Sequence, residues 1–255
     1  MTKNDWMIAT IVGVVLGILG GLAFLPKVTH PQTANASTGV EDVLALTLNS
    51  YTKWSTAKGE AQFTFYGPKG EKQIYVDSFE IAQPNKAYIE SVSQDGKGQN
   101  TIWISDGVNS YSLDESSKTY ESTKLPKFSQ DFSLLPKTLS EVDPDMVYHH
   151  PFAMVIPLPV RDYLFPQWFS QGGGIASLVG EENILDRKTW IVEQQKGSDL
   201  MTAWVDEKTG VILKYSQQID GQLFLDVVFS NIEFDATIDS AIFSPAAAYK
   251  PVDTN

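Results

Sequence analysis

Residues 188–234 read KTWIVEQQKGSDLMTAWVDEKTGVILKYSQQIDGQLFLDVVFSNIEF, and the punctuation of this stretch decides the fold. Four runs rich in β-branched and aromatic residues, Lys188 to Gln195, Leu200 to Val205, Ile212 to Ile219 and Leu223 to Phe234, are strand candidates. They are separated only by Lys196-Gly197-Ser198, by Asp206-Glu207-Lys208-Thr209-Gly210 and by Asp220-Gly221. Links this short join antiparallel neighbours, because parallel strands need crossovers of a dozen residues or more. Asp220-Gly221 between apolar runs is a two-residue hairpin signal.

Upstream lies a second train of the same kind. Ala61 to Tyr66, Glu71 to Ala82, Lys86 to Ser93, Asn100 to Ser105, Val108 to Leu113 and Lys118 to Ser122 alternate with turn sequences such as Gly67-Pro68-Lys69-Gly70 and Asp106-Gly107. Before it, Val40, Val43, Leu44, Leu48, Tyr51 and Trp54 recur at spacings of three and four, which predicts a helix over Val40 to Ala57 with one apolar face. Between the trains, Leu125 to Gly174 holds seven prolines, too many for long elements, yet it is too apolar for a solvated linker. Short helices over Leu134 to Glu141 and Val160 to Ser170 are expected there, packed over the sheet, with Gly172-Gly173-Gly174 as a flexible return. Ten strands with helices at the start and in the middle predict a mainly β protein with α: one strongly curved antiparallel sheet.

Alternation is broken in an informative way. In Thr101-Ile102-Trp103-Ile104, in Lys188 to Val192 and in Leu223 to Phe229, apolar residues point to both faces, so the sheet hides both sides at least in part. Either the protein itself covers each face, or one face lines a pocket for an apolar ligand.

The chain opens on Trp6 to Leu25, WMIATIVGVVLGILGGLAFL, which carries no charge. As a helix it covers roughly 30 Å, the thickness of bilayer hydrocarbon, and its length favours a single-pass anchor over a cleaved signal ending near Ala34-Asn35-Ala36. Either reading places the rest of the chain outside the cytoplasm. Residues 1–26 are thus an anchor or signal, 27–38 a polar linker, 39–248 the folded domain and 249–255 a tail. If the anchor stays, a linker of at most about 3.5 Å per residue keeps the domain close to its own membrane.

The net charge of −12 argues against nucleic acid or an anionic membrane surface as the domain's direct partner, since both call for basic patches. The absence of cysteine excludes disulfides, thiol catalysis, thiolate metal sites and lipid attachment at a lipobox cysteine. His149-His150 is the one histidine pair, and its local sequence supplies no further metal ligands. There is no Gly-x-Ser-x-Gly elbow, and the triple glycine lacks the lysine and hydroxyl of a phosphate loop. No catalytic residue, metal or cofactor is therefore expected.

The order of parts resembles the LolA/LolB lipoprotein-carrier superfamily, including its RseB-like periplasmic members. The resemblance rests on Trp103-Ile104-Ser105-Asp106-Gly107-Val108-Asn109-Ser110-Tyr111, the Pro-broken middle, and Trp204-Val205-Asp206-Glu207-Lys208-Thr209-Gly210 followed by a basic strand and an Asp-Gly hairpin. It also includes the closing Phe229 to Asp235 and Asp239 to Phe243. It implies an unclosed β-barrel capped by short helices, and a cavity that binds acyl chains of a lipid or lipoprotein non-covalently; the alternative is an RseB-like sensing module with an envelope protein partner. It further implies wall candidates Phe63, Phe65, Ile74, Tyr88, Trp103, Tyr111, Trp190, Trp204, Leu213 and Phe224, and a lid over Leu125 to Ser170 whose apolar face is Phe128, Phe132, Leu135, Phe165 and Trp168. Two features set this chain apart from a freely diffusing shuttle: the long apolar N-terminal segment, and a first strand, Gln62-Phe63-Thr64-Phe65, without the arginine that latches the lid in soluble carriers.

Overall fold

The computed structural model describes residues 39–252 except Lys97, Leu134, Pro144, Gly172 and Gly173. The expected anchor and the whole of the expected linker lie outside the described residues. Among those residues no helix is long and apolar enough to cross a membrane.

A nine-residue helix, α1 (Val40–Leu48), comes first, with Glu41 and Asp42 in its first turn and the Asp42 carboxylate accepting from the Gly39 N–H. It ends well short of Ala57. Asn49 turns its side chain back onto the Ala45 carbonyl, a 3₁₀ turn follows at Ser50–Thr52, and the next strand already starts at Thr56. Tyr51 and Trp54 keep the spacing of a helix face because both must reach the core, where they pack outside any α-helix.

Six strands then form a meander: β1 (Thr56–Tyr66), β2 (Lys72–Ala82), β3 (Lys86–Ser93), β4 (Thr101–Asp106), β5 (Asn109–Asp114) and β6 (Thr119–Lys124). The middle segment carries 3₁₀ turns at Lys127–Gln130, Leu139–Glu141, Ala153–Val155 and Pro166–Gln171 around one short helix, α2 (Val160–Leu164). Of the described residues in the helix expected over Leu134 to Glu141, only the last three are helical, and the other is broken before Pro166, as its missing N–H predicts. The second meander is β7 (Ile175–Ile184), β8 (Arg187–Lys196), β9 (Asp199–Asp206), β10 (Ile212–Ile219) and β11 (Gln222–Phe234), and a two-residue strand, β12 (Lys250–Pro251), comes last.

All twelve strands belong to one sheet, in the order β12-β6-β5-β4-β3-β2-β1-β11-β10-β9-β8-β7. The two meanders join where β1 pairs antiparallel with β11, Phe63 opposite Val227. Only β12 runs parallel to its neighbour, beside Thr119 and Tyr120 of β6, so the expected tail begins inside the sheet. β7 and β12 stand at opposite ends of the order and are not paired with each other: the barrel is unclosed.

The count of ten strands is corrected to twelve. β7, with Ala176, Gly180, Glu181, Glu182 and Asn183, has little β character, and its hairpin to β8 turns on Leu185-Asp186. Both of those residues adopt left-handed φ (52° and 58°) in a position where Asn-Gly would have announced the turn.

One face of the sheet holds nearly the whole core. Phe63, Phe79, Ile89, Trp103, Trp190, Val205, Leu213, Tyr215, Val227 and Phe229, all but sealed from solvent, form one cluster that runs from β4 through β1 to β8. The other face has a smaller cluster of Ile102, Ile104 and Leu113 with Tyr88, Tyr111, Tyr120 and Tyr249, partly roofed by residues 239–249. The double-sided apolar pattern of β4 therefore reports two separate clusters, Trp103 facing one and Ile102 and Ile104 the other.

Candidate functional site

The inner face is covered by the middle segment rather than by a second sheet. Phe152, Ile156, Val160, Leu164, Phe165 and Phe169 are at most 1% exposed and interdigitate with the sheet's aromatic residues. Phe152 meets Trp103 at 6.2 Å between ring centroids, Phe165 meets Trp54 at 5.3 Å, and Tyr163 bridges Phe63 on β1 (5.7 Å) and Tyr215 on β10 (5.3 Å). Each fully buried phenylalanine is worth about 1.5–3 kcal/mol over leaving it in water.

Polar attachments of this cover are sparse. The backbone–backbone hydrogen bonds described within residues 126–171 all span three or four residues and none reaches the sheet. The segment is tied down by side chains: Gln194 of β8 donates to the Phe169 carbonyl at 2.6 Å, Gln167 to Leu48 at 3.4 Å, Ser50 to Leu164 at 3.5 Å and Asn49 to Lys137 at 3.1 Å. Apolar contact plus a few such bonds can be exchanged for another apolar body without opening any backbone ladder.

The predicted wall residues divide between the faces. Phe63, Phe65, Trp103, Trp190 and Leu213 lie on the inner face. Tyr88 and Tyr111 belong to the outer cluster, and Ile74, Trp204 and Phe224 have the opposite strand parity to the core residues Tyr75, Val205 and Leu225 beside them. Trp204 donates to Glu182 at 2.6 Å under the Lys214 ammonium (4.1 Å), and Phe224 is 44% exposed. These five are corrected to the outer face. Residue type cannot distinguish the faces of a strand that is apolar on both; parity relative to a known inner residue can.

Among the lid residues, Leu135 and Phe165 are buried, and Trp168 packs against the core while donating to the Asp162 carbonyl at 2.7 Å. Phe132 stacks on Tyr51 (6.1 Å) and lies 5.0 Å from His150. Phe128 is 46% exposed, so it is corrected to the solvent side: its 3₁₀ turn is anchored instead by the buried Ser129. Sequence reasoning missed Phe152, Ile156, Tyr163, Leu164 and Phe169, which form more of the contact than the residues it chose.

Two titratable groups are buried in this contact. His150 is sealed from solvent between Phe165 (4.3 Å, stacked), Phe132 and Tyr51, and neither ring nitrogen has a hydrogen bond. Burial alone pushes its pKa down to about 3, so the ring is neutral. Asp77 on β2 is likewise sealed, and neither carboxylate oxygen makes a hydrogen bond of good geometry. The Ser91 hydroxyl and the Val160 N–H lie near enough to favour its charged form, but burial outweighs them and lifts the pKa to about 6.

The sequence signature around Trp204 has a plain structural task. Asp206 accepts from Arg187 Nε (2.7 Å) and Nη2 (3.0 Å), from the N–H groups of Lys208 and Thr209, and from the Thr209 hydroxyl. Gly210 follows with φ +72°, and a Cβ there would meet the Leu46 carbonyl oxygen of α1 at 2.4 Å. The turn is the seat on which α1 docks. Asp106 does similar work in the other signature, accepting from the N–H groups of Val108 and Asn109 and from the Tyr111 hydroxyl at 2.7 Å.

Open space remains at the margins of the cover. A groove of about 500 Å³ runs between α1, the Leu139–Glu141 turn and β7–β8, lined by Leu44, Leu139, Val142, Ala176 and Gln194 among others. Among the described residues no group of three or more histidine, aspartate or glutamate side chains is placed to hold a metal ion.

An unclosed antiparallel sheet with short helices over one face is the class of architecture that this chain adopts. No family model and no curated protein matches it. Solved structures similar to it include MucB in its complex with MucA from Pseudomonas aeruginosa (13% identity, TM-score 0.46, 82% of this chain and 62% of that one). They also include LprF from Mycobacterium bovis (11%, TM-score 0.41, 78% and 95%) and a LolA superfamily protein from Nitrosomonas europaea (10%, TM-score 0.32, 82% and 98%). The superfamily that the sequence resembles is thus represented among its structural neighbours, and the chain spans less than two thirds of the MucB chain.

Proposed function

We propose that the inner face is a binding site for the acyl chain of a lipid or lipoprotein, taken up non-covalently when segment 126–171 lifts. On this reading the protein is a binder rather than an enzyme. It works on the extracytoplasmic side of a bacterial membrane, with Trp6 to Leu25 as its anchor in preference to a cleaved signal.

The observation that carries the reading is the cover itself: an aromatic and aliphatic sheet face closed by a Pro-broken segment with no backbone ladder to the sheet. An acyl chain offers about 0.8 kcal/mol per buried CH₂, enough over a dozen carbons to replace several phenylalanine contacts. The groove between α1 and β7–β8 gives such a chain a place to start.

Native mass spectrometry after mild detergent extraction tests this. The protein should carry lipid, or take up a fluorescent fatty-acid probe; a lipid-free protein that refuses the probe refutes acyl binding. An N-terminus found at Ser37 on the mature protein refutes the anchor.

The RseB-like reading gains support from the same cover. Because the inner face is already filled, lifting the segment would change the outer surface of residues 126–171, which a partner protein could sense. Co-purification of one envelope protein, lost when lipid is bound, would favour it.

A further inference from the structure

A site built only for hydrocarbon would have no place for a carboxylate, yet Asp77 sits in the middle of the inner face. Its strand neighbours there are Ala61 on β1 and Ser91 on β3, the residues directly opposite it in register. In the same row, beyond Ala61, stands Phe229. The rows on either side pair Phe63 with Tyr75 and Phe79 with Ile89, and also hold Ser93 opposite Tyr75 and Gly59 opposite Phe79. The Ala-Asp-Ser stretch therefore places small and polar side chains within a largely aromatic and aliphatic wall, with the Val160 N–H of the cover near the Asp77 carboxylate.

In the closed protein neither carboxylate oxygen of Asp77 has a hydrogen bond of good geometry. Asp77 forms no ion pair among the described residues, and the groups that favour its charged form are the Ser91 hydroxyl and the Val160 N–H. Lifting the segment removes the second of these. A bare alkyl chain laid over Asp77 would then leave the carboxylate buried and unpaired, which is costly, whereas a donor group on the ligand would pair it.

Resting on the acyl-binding reading above, we propose that Asp77, with Ser91, is the polar anchor of the inner-face site, which takes an acyl chain whose head carries hydrogen-bond donors (hydroxyl, amide or ammonium) in preference to a free carboxylate. A fatty-acid anion would meet Asp77 as a like charge. A monoacylglycerol or an alkylamine of the same chain length would donate to it, and bonds to an ionised acceptor are the stronger kind.

The test measures, at neutral pH and on the full chain, the affinity of three amphiphiles of matched chain length: a fatty acid, a monoacylglycerol and an alkylamine. Wild type should bind the two donors roughly tenfold more tightly than the acid, the size of effect expected from one charge-assisted bond. Asp77→Leu should level the three affinities while keeping acyl binding. Asp77→Asn, uncharged and able to donate as well as accept, should lose both the discrimination against the acid and the extra affinity for the amine. Should Asp77→Leu not fold, Asp77→Asn and Ser91→Ala decide the matter, the latter by a reduced donor preference. Equal affinities in wild type, or an unchanged order in the variants, would overturn the proposal and leave acyl binding standing. Failure of wild type to bind any of the three would overturn both.

Discussion

Asp77 and His150 are buried titratable groups at the same contact, and they push stability in opposite directions with pH. Folding raises the Asp77 pKa, so its contribution is fully present below the unfolded value near 4 and is lost as the pH rises through about 6. About two pKa units correspond to about 3 kcal/mol. Asp77→Asn should therefore be more stable than wild type by up to about 3 kcal/mol at pH 8 and nearly equal to it at pH 4, read by urea denaturation at each pH. Folding lowers the His150 pKa, so its contribution is present above about 6.5 and is lost as the pH falls toward 3. His150→Phe, which keeps the stack on Phe165 and removes two unpaired ring nitrogens, should shift acid unfolding to lower pH and be at least as stable as wild type at pH 8. Neither group was legible as buried. Asp77 shares strand parity with Tyr75, Phe79 and Ile81, a signal that could have exposed it, whereas the rings around His150 come from residues scattered along the chain.

Among the elements, the strands marked by Gly or Asp-Gly turns were legible to within a few residues, while β7 was not, because its turn uses Leu185-Asp186. Helix α1 was legible as an amphipathic run but not in length, since its pattern continues through residues held by tertiary contacts. What the sequence signature does became clear only in three dimensions: the Asp206 turn carries α1. Gly210→Ala should cost well over 1 kcal/mol, because it adds a left-handed φ penalty to a collision with Leu46. Asp206→Ala, which strands Arg187, should cost about 3–5 kcal/mol, seen as a lowered melting temperature. Both effects belong to the scaffold and should leave intact the order of ligand affinities in whatever fraction stays folded.

For the whole molecule, the parts are a sheet open along one side, a core gathered on one face, and a cover that attaches mainly by apolar contact. The presence of an apolar face was legible from composition and strand alternation; which aromatics line it was not, because β4, β8 and β11 are apolar on both sides. That division provides its own probe. Trp103 and Trp190 are on the inner face and Trp204 is on the outer. In variants that retain one of these as the sole tryptophan, a bromine-labelled acyl chain should quench Trp103 and Trp190 in a saturable way and leave Trp204 bright. Quenching of Trp204 to the same extent, or of none of the three at saturating ligand, would contradict an acyl site on the inner face.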